Sequence, residues 1–190
     1  MLNVTDGVKK TLSKRTLRTT LNLELQHKCE EIFNAYINQN KHFGVKNGAV
    51  LLLDWKSMDL LANIGSADYY NDSIDGQVNI TTSKRSPGST LKPFIYALAL
   101  EKGLIHFRTM LKDTPQTFNE YTPDNYGSIF KGPVQAWFAL SDSRNIPAIT
   151  LNRELKDYGL YEFMKDSGVK EIKEKEHYGL SIVLGSCEVS

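Results

Sequence analysis

The sequence predicts an α+β fold in which helices pack on an antiparallel sheet and one apolar helix is buried at the centre. Three observations predict it: an amphipathic helical pattern near the N-terminus, two short apolar runs after it, and an apolar stretch that begins at Ser89. The composition agrees, because 41% of the 190 residues are hydrophobic and 24% are charged, as in globular proteins. At this length we expect one domain, placed at residues 23–190, behind an N-terminal extension at residues 1–22.

The first element is a helix from Leu23 to about Gln39, followed by two strands. The runs GAVLLLD at 48–54 and MDLLANIG at 58–65 are separated by a short polar segment, which predicts a buried antiparallel hairpin for the helix to pack on. The helix itself is indicated by apolar side chains at helical spacing: Leu25, Cys29, Ile32, Phe33 and Tyr36.

The stretch TLKPFIYALALEKG predicts the central buried helix, which ends at Gly103 and carries Pro93 in its first turn, where a missing N–H costs little. Long polar regions at 66–87 and 104–131 flank it and are expected to be connections. Further helices are predicted at 134–140, at about 148–155 and in YGLYEFMKDSGV, which ends at Gly168. The loop SDSRNIP separates the first two, and the charged run KEIKEKEH is predicted to be a solvated turn.

Charge and residue spacing exclude several classes of function. The net charge of +1 provides no field for nucleic acid, and no apolar stretch reaches the roughly 20 residues that cross a membrane. The four histidines lack metal-ligand spacing, so neither a metal nor another cofactor is predicted. Cys29 and Cys187 could form a disulfide in an oxidising compartment, although two free, partly buried thiols are the simpler interpretation.

The tetrapeptide Ser89-Thr-Leu-Lys92 is a candidate nucleophile and base. Positions three apart share a helix face, so the Lys92 amine can reach the Ser89 hydroxyl and, if burial lowers its pKa, remove the proton. Backbone N–H groups at a helix start can also stabilise an oxyanion. Two other S-x-x-K sequences begin at Ser128 and Ser167, but neither starts a strong helix. The alternative is that Ser89 caps an ordinary helix while Lys92 extends to solvent.

A second polar group lies 54 residues after Ser89. Ser143-Arg144-Asn145 is the only S-x-N of the chain, and it falls in the predicted loop between two helices, where polar side chains can converge on a cleft. The alternative is a helix-loop-helix turn rich in capping residues.

Longer stretches around both motifs resemble one family. GSADYYNDSIDGQVNITTSKRSPGSTLKPFIYALALEKGLI and FKGPVQAWFALSDSRNIPAITL resemble the transpeptidase domain of class A bifunctional penicillin-binding proteins, most closely the 1C type. LRTTLNLELQHKCEEIF is similar to the linker that precedes this domain in the family. The resemblance implies a penicillin-binding/β-lactamase fold in which Ser89 is the nucleophile, Lys92 the general base, Ser143 a proton relay and Asn145 a positioning amide.

The resemblance also implies a D,D-transpeptidase of peptidoglycan synthesis. Such an enzyme attacks the D-Ala-D-Ala end of a stem peptide, forms an acyl-enzyme, passes the acyl group to an amine on a neighbouring strand, and is acylated by β-lactams. It implies a location on the periplasmic face of the bacterial inner membrane, with membrane attachment only through parts that this chain lacks.

One departure from the family pattern leaves alternatives open. No KTG, KSG or KTS tripeptide follows the S-x-N motif, so we expect an incomplete domain that stops before its last strands. A β-lactamase or D,D-carboxypeptidase would hydrolyse the acyl-enzyme; the sequence shows no convincing motif for the glutamate that activates water in class A β-lactamases, and Glu154 and Glu162 stay open as candidates. A non-catalytic module that binds cell-wall peptide or a partner protein is the alternative of a different class.

Overall fold

A computed structural model describes residues 17–119 and 121–189, which form two compact units divided after Lys84. Each unit has its own hydrophobic core. The α+β class predicted from the sequence is confirmed by six α-helices and two small antiparallel sheets in the described ranges. The division into two units was not predicted. Residues 1–16, most of the predicted N-terminal extension, lie outside the described residues.

The first unit contains the predicted helix and hairpin. Helix α1 (Leu23–Asn40) begins at Asn22, whose side chain accepts a hydrogen bond from the Leu25 amide. It packs mainly on strand β2 (Leu60–Ile64), which pairs antiparallel with β1 (Val50–Leu53). The hairpin is less buried than predicted, because alternate residues of β1 point away from the core and are about half exposed. The core of this unit is formed by Phe33, Ile37 and Ile64.

The second unit is built around the predicted central helix. A 3-10 turn (Gly88–Leu91) leads into helix α2 (Lys92–Glu101), with Pro93 in its first turn as expected. One difference is that Phe94 and Leu100 are nearly half exposed, so the helix is not buried all round. The face toward the core consists of Lys92, Ile95, Tyr96, Leu98 and Ala99.

A second hairpin was missed in the sequence. Strand β3 (Met110–Asp113) pairs antiparallel with β4 (Gly132–Gln135), so the predicted helix at 134–140 begins with a strand and becomes helical only at α3 (Ala136–Ser141). The partner strand lies within the region 104–131 that was expected to be a connection. The pairing of β4 with a strand about 20 residues earlier overrides the local helical pattern. Such a pairing cannot be recognised from neighbouring residues alone.

The remaining helices follow the predictions with shifted ends. Helix α4 (Asn145–Glu154) starts three residues before the predicted helix and is the most deeply buried element, while α5 is Leu160–Asp166. The charged run predicted as a turn is exposed, but its last residues form a short helix, α6 (Lys175–Tyr178), which leads into a 3-10 turn (Gly179–Leu184).

The two cysteines are free thiols, Cys29 half-buried and Cys187 buried, and burial raises the pKa of the Cys187 thiol. Within the described ranges no helix is both long enough and apolar enough to span a bilayer. The same ranges contain no group of three or more acidic, histidine or cysteine side chains that could hold a metal ion.

Candidate active site

Lys92 is a buried lysine whose amine makes three hydrogen bonds to one short segment. It is the first residue of α2 and is only 1% exposed. Its Nζ donates to the Ser143 carbonyl at 2.6 Å, to Ser143 Oγ at 3.1 Å and to Asn145 Oδ1 at 2.6 Å. These bonds join the S-x-x-K and S-x-N motifs, and the alternative in which Lys92 extends to solvent is wrong.

The surroundings of Lys92 favour its neutral form. Burial, and to a lesser degree the nearby positive charge of Arg144, lower the pKa of the Lys92 amine from 10.5 to about 8. Burial away from water disfavours the protonated, charged form of the amine, and a positive charge nearby disfavours that form further. A neutral amine is therefore accessible near neutral pH.

Ser89 lies in the 3-10 turn that precedes α2, and its side chain is exposed. In such a turn residues i and i+3 eclipse, so Ser89 and Lys92 are on one face, and the Lys92 amide donates to the Ser89 carbonyl. Ser89 lines an open cavity of about 560 Å³ together with Ser143, Asn145 and Tyr126. Among the described residues no hydrogen bond joins the Ser89 hydroxyl to the Lys92 amine, and the hydroxyl does not cap the helix.

Ser143 has a left-handed backbone with φ 52°, which is uncommon outside glycine. The conformation lets the chain turn from the end of α3 directly into α4, with the Ser143 amide donating to the Leu140 carbonyl at 3.0 Å. Both oxygens of Ser143 thereby reach the Lys92 amine, and its side chain is exposed to the cavity. Local strain of this kind persists only where the surrounding structure requires it.

Asn145 is the first residue of α4, not a loop residue as predicted. Its side chain bridges two segments: Oδ1 accepts from Lys92, and Nδ2 donates to the Asp124 carbonyl at 2.5 Å. Its backbone N–H lies in the first turn of the helix and so has no partner within the helix; it donates to Asn125 Oδ1 at 2.9 Å. Two side-chain hydrogen bonds and one backbone hydrogen bond therefore hold Asn145 in place.

A buried ion pair behind the site was not predicted. Arg144 Nε donates to Asp113 Oδ2 at 2.8 Å, and the two residues are 6% and 0% exposed. Asp113 Oδ1 also accepts from Asn125 Nδ2 at 2.7 Å, which connects the pair to Asn145. Asp113 and Asn125 lie in the polar region assigned to a connection, where neither spacing nor pattern marks them.

The turn that carries Ser89 is held by the end of the described chain. Arg85 and Val189 exchange two backbone hydrogen bonds of 2.9 Å, and Ser86 Oγ donates to the Gly185 carbonyl at 2.5 Å. These hydrogen bonds fix the position of residues 85–86, which directly precede the turn with Ser89. Glu154 and Glu162, the candidates for activating water, do not line the cavity, and Glu162 accepts from the Gly159 amide at 2.9 Å.

Comparison with protein families and curated proteins gives consistent matches. The family described as "Penicillin binding protein transpeptidase domain" matches residues 48–181. Penicillin-binding protein 1C of Escherichia coli (strain K12) is 38% identical over 148 residues, covering 77% of this chain and 18% of that protein. Penicillin-binding protein 1F of Bacillus subtilis (strain 168) is 33% identical, covering 74% and 19%. The chain thus spans under a fifth of the length of these curated relatives.

Solved structures agree with the sequence matches. The structure of PonA1 from Mycobacterium tuberculosis in complex with penicillin V superposes with a TM-score of 0.71 at 19% identity, covering 92% of this chain and 47% of that one. Penicillin-binding protein 1A from Haemophilus influenzae superposes with a TM-score of 0.64 at 27% identity, covering 76% and 21%.

Proposed function

The chain belongs to the penicillin-binding protein transpeptidase family, and on that premise we propose that it carries the serine acyl-enzyme site of a D,D-transpeptidase. The observation that supports the proposal most strongly is the buried Lys92 amine, held 3.1 Å from Ser143 Oγ beside a cavity that Ser89 also lines. We propose the end of a peptidoglycan stem peptide, D-Ala-D-Ala, as substrate, β-lactams as inhibitors, and the extracytoplasmic (periplasmic) side of the membrane as location. The chemistry requires no cofactor.

The protonation state of Lys92 determines what its three hydrogen bonds can do. An ammonium group has three N–H donors and can serve all three acceptors, whereas a neutral amine has two donors and one lone pair. In the neutral state the two short bonds, to the Ser143 carbonyl and Asn145 Oδ1, retain the donors. The lone pair then faces the Ser143 hydroxyl, which becomes the donor. Ser143 is thus placed to relay a proton between the amine and a leaving group.

We assign the steps of acylation accordingly. The Ser89 oxygen forms a bond to the carbonyl carbon of the penultimate residue, and its proton passes to the neutral Lys92 amine. The bond to the terminal D-Ala nitrogen then breaks, and that nitrogen takes a proton from Lys92 by way of Ser143. In the second half an amine of another strand forms a bond to the acyl carbon and gives a proton to Lys92 by way of Ser143, the ester bond to the Ser89 oxygen breaks, and Ser89 regains its proton from Lys92. In a β-lactam the ring amide bond breaks instead, and the product stays attached.

Covalent labelling tests the proposal directly. The 190-residue chain is incubated with a fluorescent penicillin and examined by intact mass spectrometry and peptide mapping. We expect one adduct, on Ser89, that is absent in Ser89→Ala. Ser128→Ala and Ser167→Ala are matched controls, because both serines begin an S-x-x-K sequence, and both variants should label like the wild type. Labelling of Ser89→Ala at the wild-type rate would overturn the assignment of the nucleophile.

A second candidate is a non-catalytic module that binds cell-wall peptide. The observation in its favour is that all hydrogen bonds of the Lys92 amine among the described residues go to Ser143 and Asn145, and none goes to Ser89. Reversible binding of a D-Ala-D-Ala peptide without any penicillin adduct would support this candidate. Turnover of a chromogenic β-lactam would instead support a hydrolase, whereas a stable adduct supports transpeptidation.

A further inference from the structure

The buried pair of Asp113 and Arg144 requires a physical reason. Taking both charges out of water is costly in general, and replacing such pairs by apolar side chains is often neutral or stabilising. The carboxylate of Asp113 is completely buried, and each of its oxygens accepts hydrogen bonds. Stability alone is therefore a poor explanation for a pair at this position, directly behind the candidate site.

The pair is linked to the S-x-N segment in two ways, through Arg144 within the segment and through Asn125, which is hydrogen-bonded to Asp113. Arg144 stands between Ser143 and Asn145, and besides Asp113 its guanidinium donates to Asp142 Oδ2 at 3.4 Å and to the Ile129 carbonyl. On the other side, Asp113 orients Asn125, whose side-chain oxygen accepts from the Asn145 amide. The two residues that contact the Lys92 amine are thus each tied to the ion pair through one neighbour.

The pair also affects the charge near Lys92. Arg144 contributes a nearby positive charge that opposes a proton on the amine. The Asp113 carboxylate lies 2.8 Å from Arg144 Nε, and an opposite charge at that distance should partly cancel the effect. Within residues 17–119 and 121–189 no acid is hydrogen-bonded to the amine itself. The charged groups of the cluster itself are Arg144, Asp113, Asp124, Lys131 and Asp142. Helices α2 and α4, which pack on each other there, also carry Tyr96, Glu101, Arg153 and Glu154.

We infer that Asp113 and Arg144 are positioning residues of this site, which hold Ser143 and Asn145 against the Lys92 amine and set the local charge around it. The inference rests on the proposed function, in which that amine is the base. The two residues are expected to have opposite effects on the pKa of Lys92. The Arg144 charge lowers it, and the Asp113 charge limits this effect.

The test measures the titration of Lys92 itself. The full chain is labelled with lysine carrying ¹³C at Cε, the Lys92 signal is assigned by its loss in Lys92→Met, and its shift is followed with pH. We expect the midpoint, about 8 in the wild type, to rise by roughly one unit in Arg144→Gln and to fall in Asp113→Asn. Lys175→Gln is the control, because it breaks an ion pair that shares no hydrogen bond with the cluster, and it should leave the midpoint unchanged.

The sign of the change in Asp113→Asn separates this inference from a merely structural role. If the pair only maintained the fold, either substitution would loosen the segment, admit water to Lys92 and raise its pKa toward 10.5. A rise in both variants therefore overturns the inference. If Asp113→Asn does not fold, Arg144→Lys decides: the retained charge should keep the midpoint near that of the wild type, and a rise equal to that of Arg144→Gln contradicts the inference.

The same variants are labelled with penicillin in parallel. The pH at which the labelling rate is half-maximal should move with the Lys92 midpoint, upward in Arg144→Gln and downward in Asp113→Asn. Failure of all variants and the wild type to label would count against the proposed function, whereas the titration of Lys92 would still test the role of the ion pair.

Discussion

Gly185 lies so close to Gly88 that a Cβ atom on residue 185 would stand 2.2 Å from the Gly88 amide nitrogen. Gly185 ends the last 3-10 turn with a left-handed φ of 79°, and Gly88 begins the turn that carries Ser89. Two segments nearly 100 residues apart in sequence therefore meet backbone to backbone, directly before the candidate nucleophile. This contact leaves no space for a side chain at position 185.

Gly185→Ala should destabilise the chain strongly and reduce labelling of Ser89. Gly168→Ala is the matched control, since Gly168 also has a left-handed φ, 85°, but an added Cβ would meet nothing within 4 Å. We expect a loss of about 1–2 kcal/mol in the free energy of unfolding for the control and about 3 kcal/mol or more for Gly185→Ala. Chemical denaturation measures both. Equal losses would show that the turn can move aside at little cost.

Lys92→Met should abolish acylation and preserve the fold. Methionine fills a similar volume without a charge that must be buried, whereas the loss of a general base commonly lowers rates by about 10²–10⁴-fold. The control is Lys102→Met, after the end of α2, where the amine donates to the Leu155 and Tyr158 carbonyls at 3.2 and 3.1 Å. Time-resolved labelling measures the rates. Wild-type labelling of Lys92→Met would exclude the amine as the base.

The buried amine should also make stability depend on pH. The pKa of Lys92 is about 8 in the folded chain and near 10.5 when the chain is unfolded. Between these values the unfolded state binds more protons, so this group makes the free energy of unfolding rise with pH. The contribution is complete above pH 10.5 and is lost as the pH falls through 8. Subtracting the same curve for Lys92→Met isolates it, and a flat difference would contradict the lowered pKa.

The ion pair should show strong thermodynamic coupling. Asp113→Ala leaves the Arg144 charge buried without its partner, which costs about 3–5 kcal/mol, and the double variant with Arg144→Met should recover a large part of that loss. Lys175→Ala removes one partner of the more exposed pair with Glu162 and should cost about 1 kcal/mol or less. Denaturation of the four proteins of the cycle measures the coupling, and additive effects of the two substitutions would contradict it.

Local patterns were sufficient for several elements. The first helix, the first hairpin and the central helix were predicted correctly, because apolar periodicity and turn residues act over a few positions. The family was also predicted from the residues around both motifs, and the comparisons confirm it. The second half of strand β4 was predicted as helix, since its pairing with β3 depends on a segment about 20 residues earlier in the chain.

By itself the sequence determined the family, the α+β class and the two motifs, since residue types at short spacings carry that information. Only the tertiary structure decided what Lys92 binds, because its acceptors lie more than 50 residues away in the chain. The same holds for Asp113 and Arg144, separated by 31 positions with no pattern between them. Burial of a charged group is too costly unless folding places a partner beside it. Such partners can therefore be identified from the tertiary structure but not from the sequence.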